Sequence, residues 1–321
     1  MKTVSLQELI KLIDCELNGA ELLELETAIK KASSVNAVSV LLAKRTEKAS
    51  TDRHCPHCNS DDIVKNGYDK NKRQRFRCRN VDCRKSFNIL TKTPMARARK
   101  SEHWMSYIQF LAGHAPLAKI TKKIKIAHQT AFRWRHRFLS AMAGNQNATL
   151  SGIIEADETF FRDSQKGKRS IAGRKARVRG GVSKRGLSND QVPVVTALDN
   201  TGTIVQSVLR NRSQIEAALA GTIETGSLLC SDGLPAYHNV AVAAGAEHRV
   251  IAPRKGFCDK PINKGAIGLG RVNAYHGQAK ALINIRCRGV SSKYLANYMG
   301  WVRAIAQSVN GEAIMENALS F

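Results

Sequence analysis

Apolar residues recur at three- and four-residue steps near the N-terminus: Leu6, Leu9, Ile10, Ile13, Leu17, Leu22, Leu23, Leu25 and Ile29. That period predicts helix over residues 5–32, divided by Asn18-Gly19 into two short helices suited to packing or self-association. Residues 53–90 carry short polar turns and few apolar runs. Within them Arg73, Arg75, Arg77 and Arg79 alternate along a predicted strand, with guanidiniums on one face and Phe76 and Cys78 on the other. A basic linker at 91–101 leads into a helical pattern over 102–141, and GNQNATLS at 144–151 is a turn-rich boundary.

From residue 152 short β-like runs alternate with helical ones. Strands are predicted at Gly152–Phe161, Val192–Leu198, Ile204–Leu209, Leu228–Ser231 and Val250–Ala252. Helices are predicted at Gln214–Thr222, Pro235–Ala244, Asn273–Arg288 and Lys293–Ser308. The order β-β-β-α-β-α-β-α-α fits a mixed sheet covered by helices. The whole reads as an α+β multidomain chain: a helical segment over 1–50, a cysteine-bearing module over 51–92, a helical module over 93–145 and a mixed α/β domain over 150–310.

Charge changes the picture most. The 321 residues hold 51 Lys and Arg against 26 Asp and Glu, a net +25, and a chain this basic usually meets a polyanion, most often nucleic acid. Residues 1–50 are neutral overall, whereas 51–150 carry +15 and 151–321 carry +10. Between Arg162 and Arg185 ten basic residues face one acid, Asp163. This insertion, 162–190, is either a solvated loop or one that orders on a phosphate backbone. No apolar run reaches the roughly 18–20 residues of a membrane span, and the N-terminus lacks a signal-peptide pattern, so a cytoplasmic, non-membrane protein is expected.

Four of the eight cysteines are spaced Cys55-x2-Cys58-x19-Cys78-x4-Cys83. Paired thiolates on two tight turns are the ligand set of a tetrahedral structural Zn²⁺, with no open position for catalysis. His54 and His57 lie beside the first pair, and the second pair is wider than usual. Cys15, Cys230, Cys258 and Cys287 read as ordinary small core residues in a reducing compartment.

Residues 117–139, LAKITKKIKIAHQTAFRWRHRFL, read as a helix-turn-helix, with Lys125 where such turns commonly have glycine. Ile120, Ile124, Ile126, Ala131, Trp134 and Phe138 are its inward positions. Gln129, Thr130 and Arg133 would meet base edges, and Arg137 with the neighbouring Arg135 would meet phosphates. The same pattern also serves a basic amphipathic helix that only packs.

Asp157 lies in GIIEADETFF near a strand end, and Asp232 lies in LLCSDGLPAY where an apolar run stops at a turn. Carboxylates at the ends of neighbouring strands are placed to share a divalent metal. A third ligand from a later helix is expected, and His276 and Lys280 are four apart on one helical face. Glu155, Glu158, Glu247 and Asp259 rank behind them.

Taken together these features make the chain resemble the insertion-sequence transposases of the DDE superfamily, in particular the IS-fifteen-ninety-five family. The resemblance runs over about residues 5 to 308. It rests on the cysteine module, the E-x-D-E-T-F strand (Glu155, Asp157, Glu158, Thr159, Phe160), and the basic insertion ending in KRGLS. It rests also on Ser231-Asp232-Gly233 and the helix bearing Val272, Asn273, His276 and Lys280. It implies a zinc ribbon, a helix-turn-helix and a ribonuclease H-like catalytic domain. The implied catalytic residues are Asp157, Asp232, His276 in the third acidic position, and Lys280. Asp157, Asp232 and His276 would hold Mg²⁺ or Mn²⁺, the imidazole favouring Mn²⁺.

The implied activity is binding of terminal inverted repeats, metal-dependent strand cleavage and 3′-OH strand transfer. Its partners would be double-stranded DNA, contacted through Arg73, Arg75, Arg77, Gln129, Thr130, Arg133 and Arg137, and a second copy in a homodimer or larger complex. The setting would be a prokaryotic nucleoid. The alternatives are a DNA-binding regulator descended from an inactive transposase and a metal-dependent nuclease without strand transfer.

Overall fold

The computed structural model describes residues 18, 20–25, 38–47, 54–144, 148–171, 190–251 and 267–320. Most of the helix expected over 5–32 lies outside these residues, as do 172–189 of the basic insertion, Cys15, Cys258 and Asp259. Where Asn18 is described it starts a helix rather than only breaking one. Its Oδ1 accepts from the backbone N–H groups of Ala20 and Glu21, and Glu21 Oε2 accepts from the Asn18 N–H at 2.9 Å, a reciprocal capping box.

The chain divides into two compact units, Met1–Phe138 with Asn310–Phe321, and Leu139–Val309. In the first, β1 (Ile63–Tyr68), β2 (Gln74–Cys78) and β3 (Ser86–Asn88) form an antiparallel sheet in sequence order. The alternation in β2 runs as its sequence predicts: Phe76 and Cys78 are buried against Cys55, Ile63 and Phe87, while Arg75 and Arg77 face out. Three helices follow, α1 (Trp104–Ala112), α2 (Leu117–Ile124) and α3 (His128–Ala143). The helical stretch breaks at Gly113, at Pro116, which cannot donate an N–H, and at Lys125, which takes the left-handed conformation that glycine would have adopted freely. Trp104, Tyr107, Trp134 and Phe138 are buried in mutual ring contact, with Ile120, Ile124, Ile126 and Ala131 also buried. Burying such side chains contributes about 1.5–3 kcal/mol each. The last helix, α8 (Gly311–Leu319), returns to pack on α1.

The second unit holds β4 (Ile153–Arg162), β5 (Gln191–Asp199), β6 (Ile204–Val208), α4 (Ile215–Leu219), β7 (Leu228–Ser231), α5 (Pro235–Ala244), β8 (Glu247–Val250), α6 (Gly270–Lys280) and α7 (Leu295–Ala306). The sheet order is β6-β5-β4-β7-β8. β4 is antiparallel to β5 and parallel to β7, which is parallel to β8. Ile154 and Ala156 of β4 face a core shared with Tyr237 and Val240 of α5, so Glu155 and Asp157 face the other side, where α6 lies. Helices on both faces explain why the central strand β5 is apolar and buried along most of its length.

Three boundaries differ from the sequence expectation. The last strand is Glu247–Val250, not Val250–Ala252: its pattern EHRV is polar because it is an edge strand paired on one side only. The helix expected at Asn273–Arg288 begins at Gly270 and passes into a wider π turn over Ala281–Arg286. The helix expected at Gln214–Thr222 is a 3₁₀ turn, Arg212–Gln214, followed by the short α4.

Candidate active site and nucleic-acid interface

Register sets the catalytic-domain site. The last paired residues of β4 and β7 are Glu155 and Cys230, and Asp157 and Asp232 each follow two positions later. Parallel β4 and β7 therefore set their aspartates level, Asp232 just past the C-terminal end of β7 and Asp157 midway along the longer β4, which continues to Arg162. Asp232 is exposed, and its Oδ1 accepts the Leu234 N–H at 3.1 Å. Gly233 makes this turn possible: its φ is +89°, and a Cβ would sit 2.7 Å from Val250 Cγ1. Below it the Ser231 hydroxyl pairs with His248 Nε2 at 2.8 Å and accepts the Gly233 N–H.

Oxygens of Asp157, Glu158 and Asp232 lie within 4.8 Å of one another. Burial pushes the Asp157 carboxyl up to about 6, with the charges of Glu158 and Asp232 adding to the rise. Glu158 is buried, with Arg212 donating to its Oε2 at 2.8 Å. His276 is buried on α6, its Nδ1 3.9 Å from Asp157 Oδ2, too long for a hydrogen bond. Its Nε2 has no hydrogen-bond partner among the described residues. Burial first, and then the Lys280 ammonium, lower the imidazole to about 4, so near neutral pH it is an uncharged donor of a lone pair. Lys280 is exposed one turn on, where α6 passes into the π turn.

The structure thus brings Asp157, Asp232 and His276 to one region but gathers Glu158 more tightly with the two aspartates than His276. Adjacent strand residues normally diverge, and the family resemblance assigns the metal to the aspartates and His276, with Glu158 behind them because it does not match the motif. Glu247 is exposed and paired with Arg249. Glu155 acts elsewhere. Its Oε2 accepts the Arg271 and Val272 N–H groups at 2.8 and 3.0 Å, and Arg271 Nε donates to Oε1 at 2.7 Å. A carboxylate from β4 therefore caps the helix that carries His276. Carboxylates beside a neutral imidazole are a donor set that fits Mg²⁺ or Mn²⁺.

In the ribbon, Cys55 and Cys83 Sγ are 3.8 Å apart and Cys58 and Cys78 Sγ are 3.6 Å apart. Zn–S bonds of about 2.3 Å in a tetrahedron require an S–S edge of about 3.8 Å, so the four thiols fit zinc. The backbone N–H groups of His57 and Cys58 outweigh burial and hold the Cys55 thiol down to about 7, readying it as a thiolate. Neither His54 nor His57 joins the cluster.

Arg75, Arg77, Gln129 and Arg133 are exposed and Thr130 is half-buried. Three neighbours are placed otherwise than the sequence suggested. Arg135 is buried, its NH2 donating to the Ala115 carbonyl at 2.8 Å, because helical spacing sets it beside Trp134 on the inward face. Arg137 is half-buried and donates to the Ala96 carbonyl at 2.7 Å. Arg73 lies outside β2, stacked over Trp104 and bonded to the Ser101 hydroxyl. These three guanidiniums hold the first unit together.

Residues 149–302 match the ISXO2-like transposase domain, and residues 48–84 match the InsA N-terminal domain. No curated relative matches the chain. Among solved structures, the Mos1 transposase paired-end complex with left transposon end is 12% identical, with a TM-score of 0.20 over 46% of this chain. This chain spans 59% of that one. A pre-cleavage Mos1 transpososome is 10% identical, with a TM-score of 0.22, over 68% of this chain and 79% of that one. No helix among the described residues is long and apolar enough to cross a membrane. The chain thus carries an InsA-type zinc ribbon ahead of an ISXO2-like transposase domain built on this mixed sheet.

Proposed function

We propose that this protein binds the terminal inverted repeats of its insertion sequence, cuts a strand there and transfers the freed 3′-OH to target DNA. The observation that carries the reading is that Asp157 and Asp232 each stand two residues past the last β4–β7 pair, with His276 alongside. Asp157, Asp232 and His276 hold Mg²⁺ or Mn²⁺. When bound, the metal supplies Lewis-acid activation of the attacking hydroxyl and charge stabilisation on the leaving oxygen. His276 stays neutral, so its nitrogen remains available as a ligand. The exposed Lys280 meets a phosphate beside the site and offsets its charge. Water attacks first and leaves a 3′-OH, which then attacks a target phosphodiester. One bond forms for each broken, and no nucleotide cofactor is needed.

In this reading the ribbon over 51–92, with structural Zn²⁺, and the helix-turn-helix over 93–145 hold the DNA. Arg75 and Arg77 contact phosphates, and Gln129, Thr130 and Arg133 reach base edges. Pairing two DNA ends calls for at least two copies. The test is a nicking and joining assay on duplexes carrying the element's ends, with Mg²⁺ and Mn²⁺. Asp157→Asn and Asp232→Asn should abolish both reactions and leave end binding intact. A parental protein that binds ends but never nicks would instead be a regulator, and nicking without joining would make it a nuclease.

A further inference from the structure

Glu158 stands outside the mechanism just given, yet its carboxylate is buried beside Asp157 and Asp232. Its side chain is 2% exposed. One of its oxygens lies within 4.8 Å of ligand oxygens on both Asp157 and Asp232. Arg212 engages Oε2; Oε1 is buried and makes no hydrogen bond among the described residues, although the buried Tyr237 hydroxyl, also unbonded there, lies near enough for the carboxylate to raise its pKa. Leaving such an oxygen unmatched costs about 1–3 kcal/mol, and more for a charged group, so it calls for a positive partner. On the α6 face of the sheet, His276 Nε2 likewise makes no hydrogen bond among the described residues.

Arg212 has an anchorage of its own. It sits on the 3₁₀ turn after β6, over the Phe160 ring at 6.0 Å, and gives Glu158 one hydrogen bond of 2.8 Å. Three carboxylates against one guanidinium leave a double negative charge, that of one divalent cation. A guanidinium on one oxygen, with the other oxygen turned to a metal, is the usual way an outer partner orients a ligating carboxylate.

We propose that Glu158 is a third carboxylate ligand of the divalent-cation site formed with Asp157 and Asp232, and that Arg212 is the positioning residue holding it in the ligating rotamer. The proposal rests on the reading of Asp157 and Asp232 as metal ligands. It adds to His276 a ligand from the strand itself, and it makes the acidic set nearly complete without a carboxylate on α6.

The test is Mn²⁺ binding to the full-length, zinc-loaded protein without DNA, followed by the electron paramagnetic resonance of free Mn²⁺. Asp157→Asn and Asp232→Asn should each lose most of the affinity. Glu158→Gln, which keeps shape and removes charge, should weaken binding at least about tenfold, and Arg212→Gln about 10- to 100-fold, as for other outer-shell partners. Glu158→Asp should recover part of the loss. Circular dichroism confirms that each variant is folded, and Arg212→Gln carries the test if Glu158→Gln is not. Binding by Glu158→Gln within twofold of the parent, while both aspartate variants fail, overturns the assignment of Glu158 alone. Tighter binding by Arg212→Gln overturns its positioning role. Parental affinity in all five variants overturns the metal site itself.

Discussion

Removing Glu155 should disturb the helix that carries His276 although Glu155 does not touch His276. The N-terminus of α6 has no cap from its own segment: Leu269 occupies the capping position and offers no side-chain acceptor. Glu155 supplies it from β4, taking two backbone N–H groups and the Arg271 guanidinium on a side chain that is 2% exposed. Breaking a buried ion pair from one side costs about 3–5 kcal/mol. Arg271 is 38% exposed and can turn toward water, which places Glu155→Ala near the lower bound, about 3 kcal/mol. For a unit the size of Leu139–Val309, that is a fall in melting midpoint of about 6–12 °C.

Glu155→Gln keeps one carbonyl acceptor for the helix end and loses the charge, so about half the effect is expected. Calorimetry of the full chain resolves the second unit's transition, and Mn²⁺ titration reports whether His276 has moved with its helix. A Glu155→Ala midpoint within about 2 °C of the parent would refute the cap. Parental Mn²⁺ affinity in a variant that melts early would instead uphold the cap and separate it from the metal site.

Purified protein should carry zinc, and Cys78→Ser should release it and unfold the ribbon while the second unit's melting is unchanged, as metal analysis and calorimetry would show. Arg75→Ala should weaken binding to every duplex and lower the log–log salt slope by about 0.9, whereas Arg133→Ala should mainly reduce discrimination between sequences in competition assays. Arg135→Ala should instead lower the first unit's melting midpoint, because its guanidinium satisfies the buried Ala115 carbonyl. Mn²⁺ affinity should fall as pH drops through about 6, where the raised Asp157 carboxyl takes up its proton in competition with the metal. His276, held near 4, stays neutral across that range, so a loss of affinity centred near pH 4 would contradict the assignment to Asp157. Gly300→Ala sets a Cβ 2.7 Å from the Ala143 Cα and should cost about 1–3 kcal/mol of second-unit stability by forcing α7 off the end of α3, as urea unfolding would show.

Short-range regularities carried much of this protein in its sequence. Period-two alternation announced β2 with Phe76 and Cys78 inward, because a pleated strand sends neighbours to opposite faces whatever surrounds it. Cysteine spacing announced the thiol cluster, since two tight turns bring four Sγ atoms together with little help from the rest of the fold. The apolar run ending at Asp232 marked the end of β7, whereas β4 continues past Asp157 to Arg162, and helical spacing marked Trp134 and Phe138 as core. Partner choice was not written locally. Nothing near Arg135 or Arg137 says that carbonyls at Ala115 and Ala96 will claim them rather than phosphates, because those carbonyls lie some twenty and forty residues away. Nothing around Glu155 and Glu158 says that one will cap α6 and the other will meet Arg212, since the partners lie 116 and 54 residues further along the chain. A buried charge is worth what meets it, and what meets it is decided by tertiary structure.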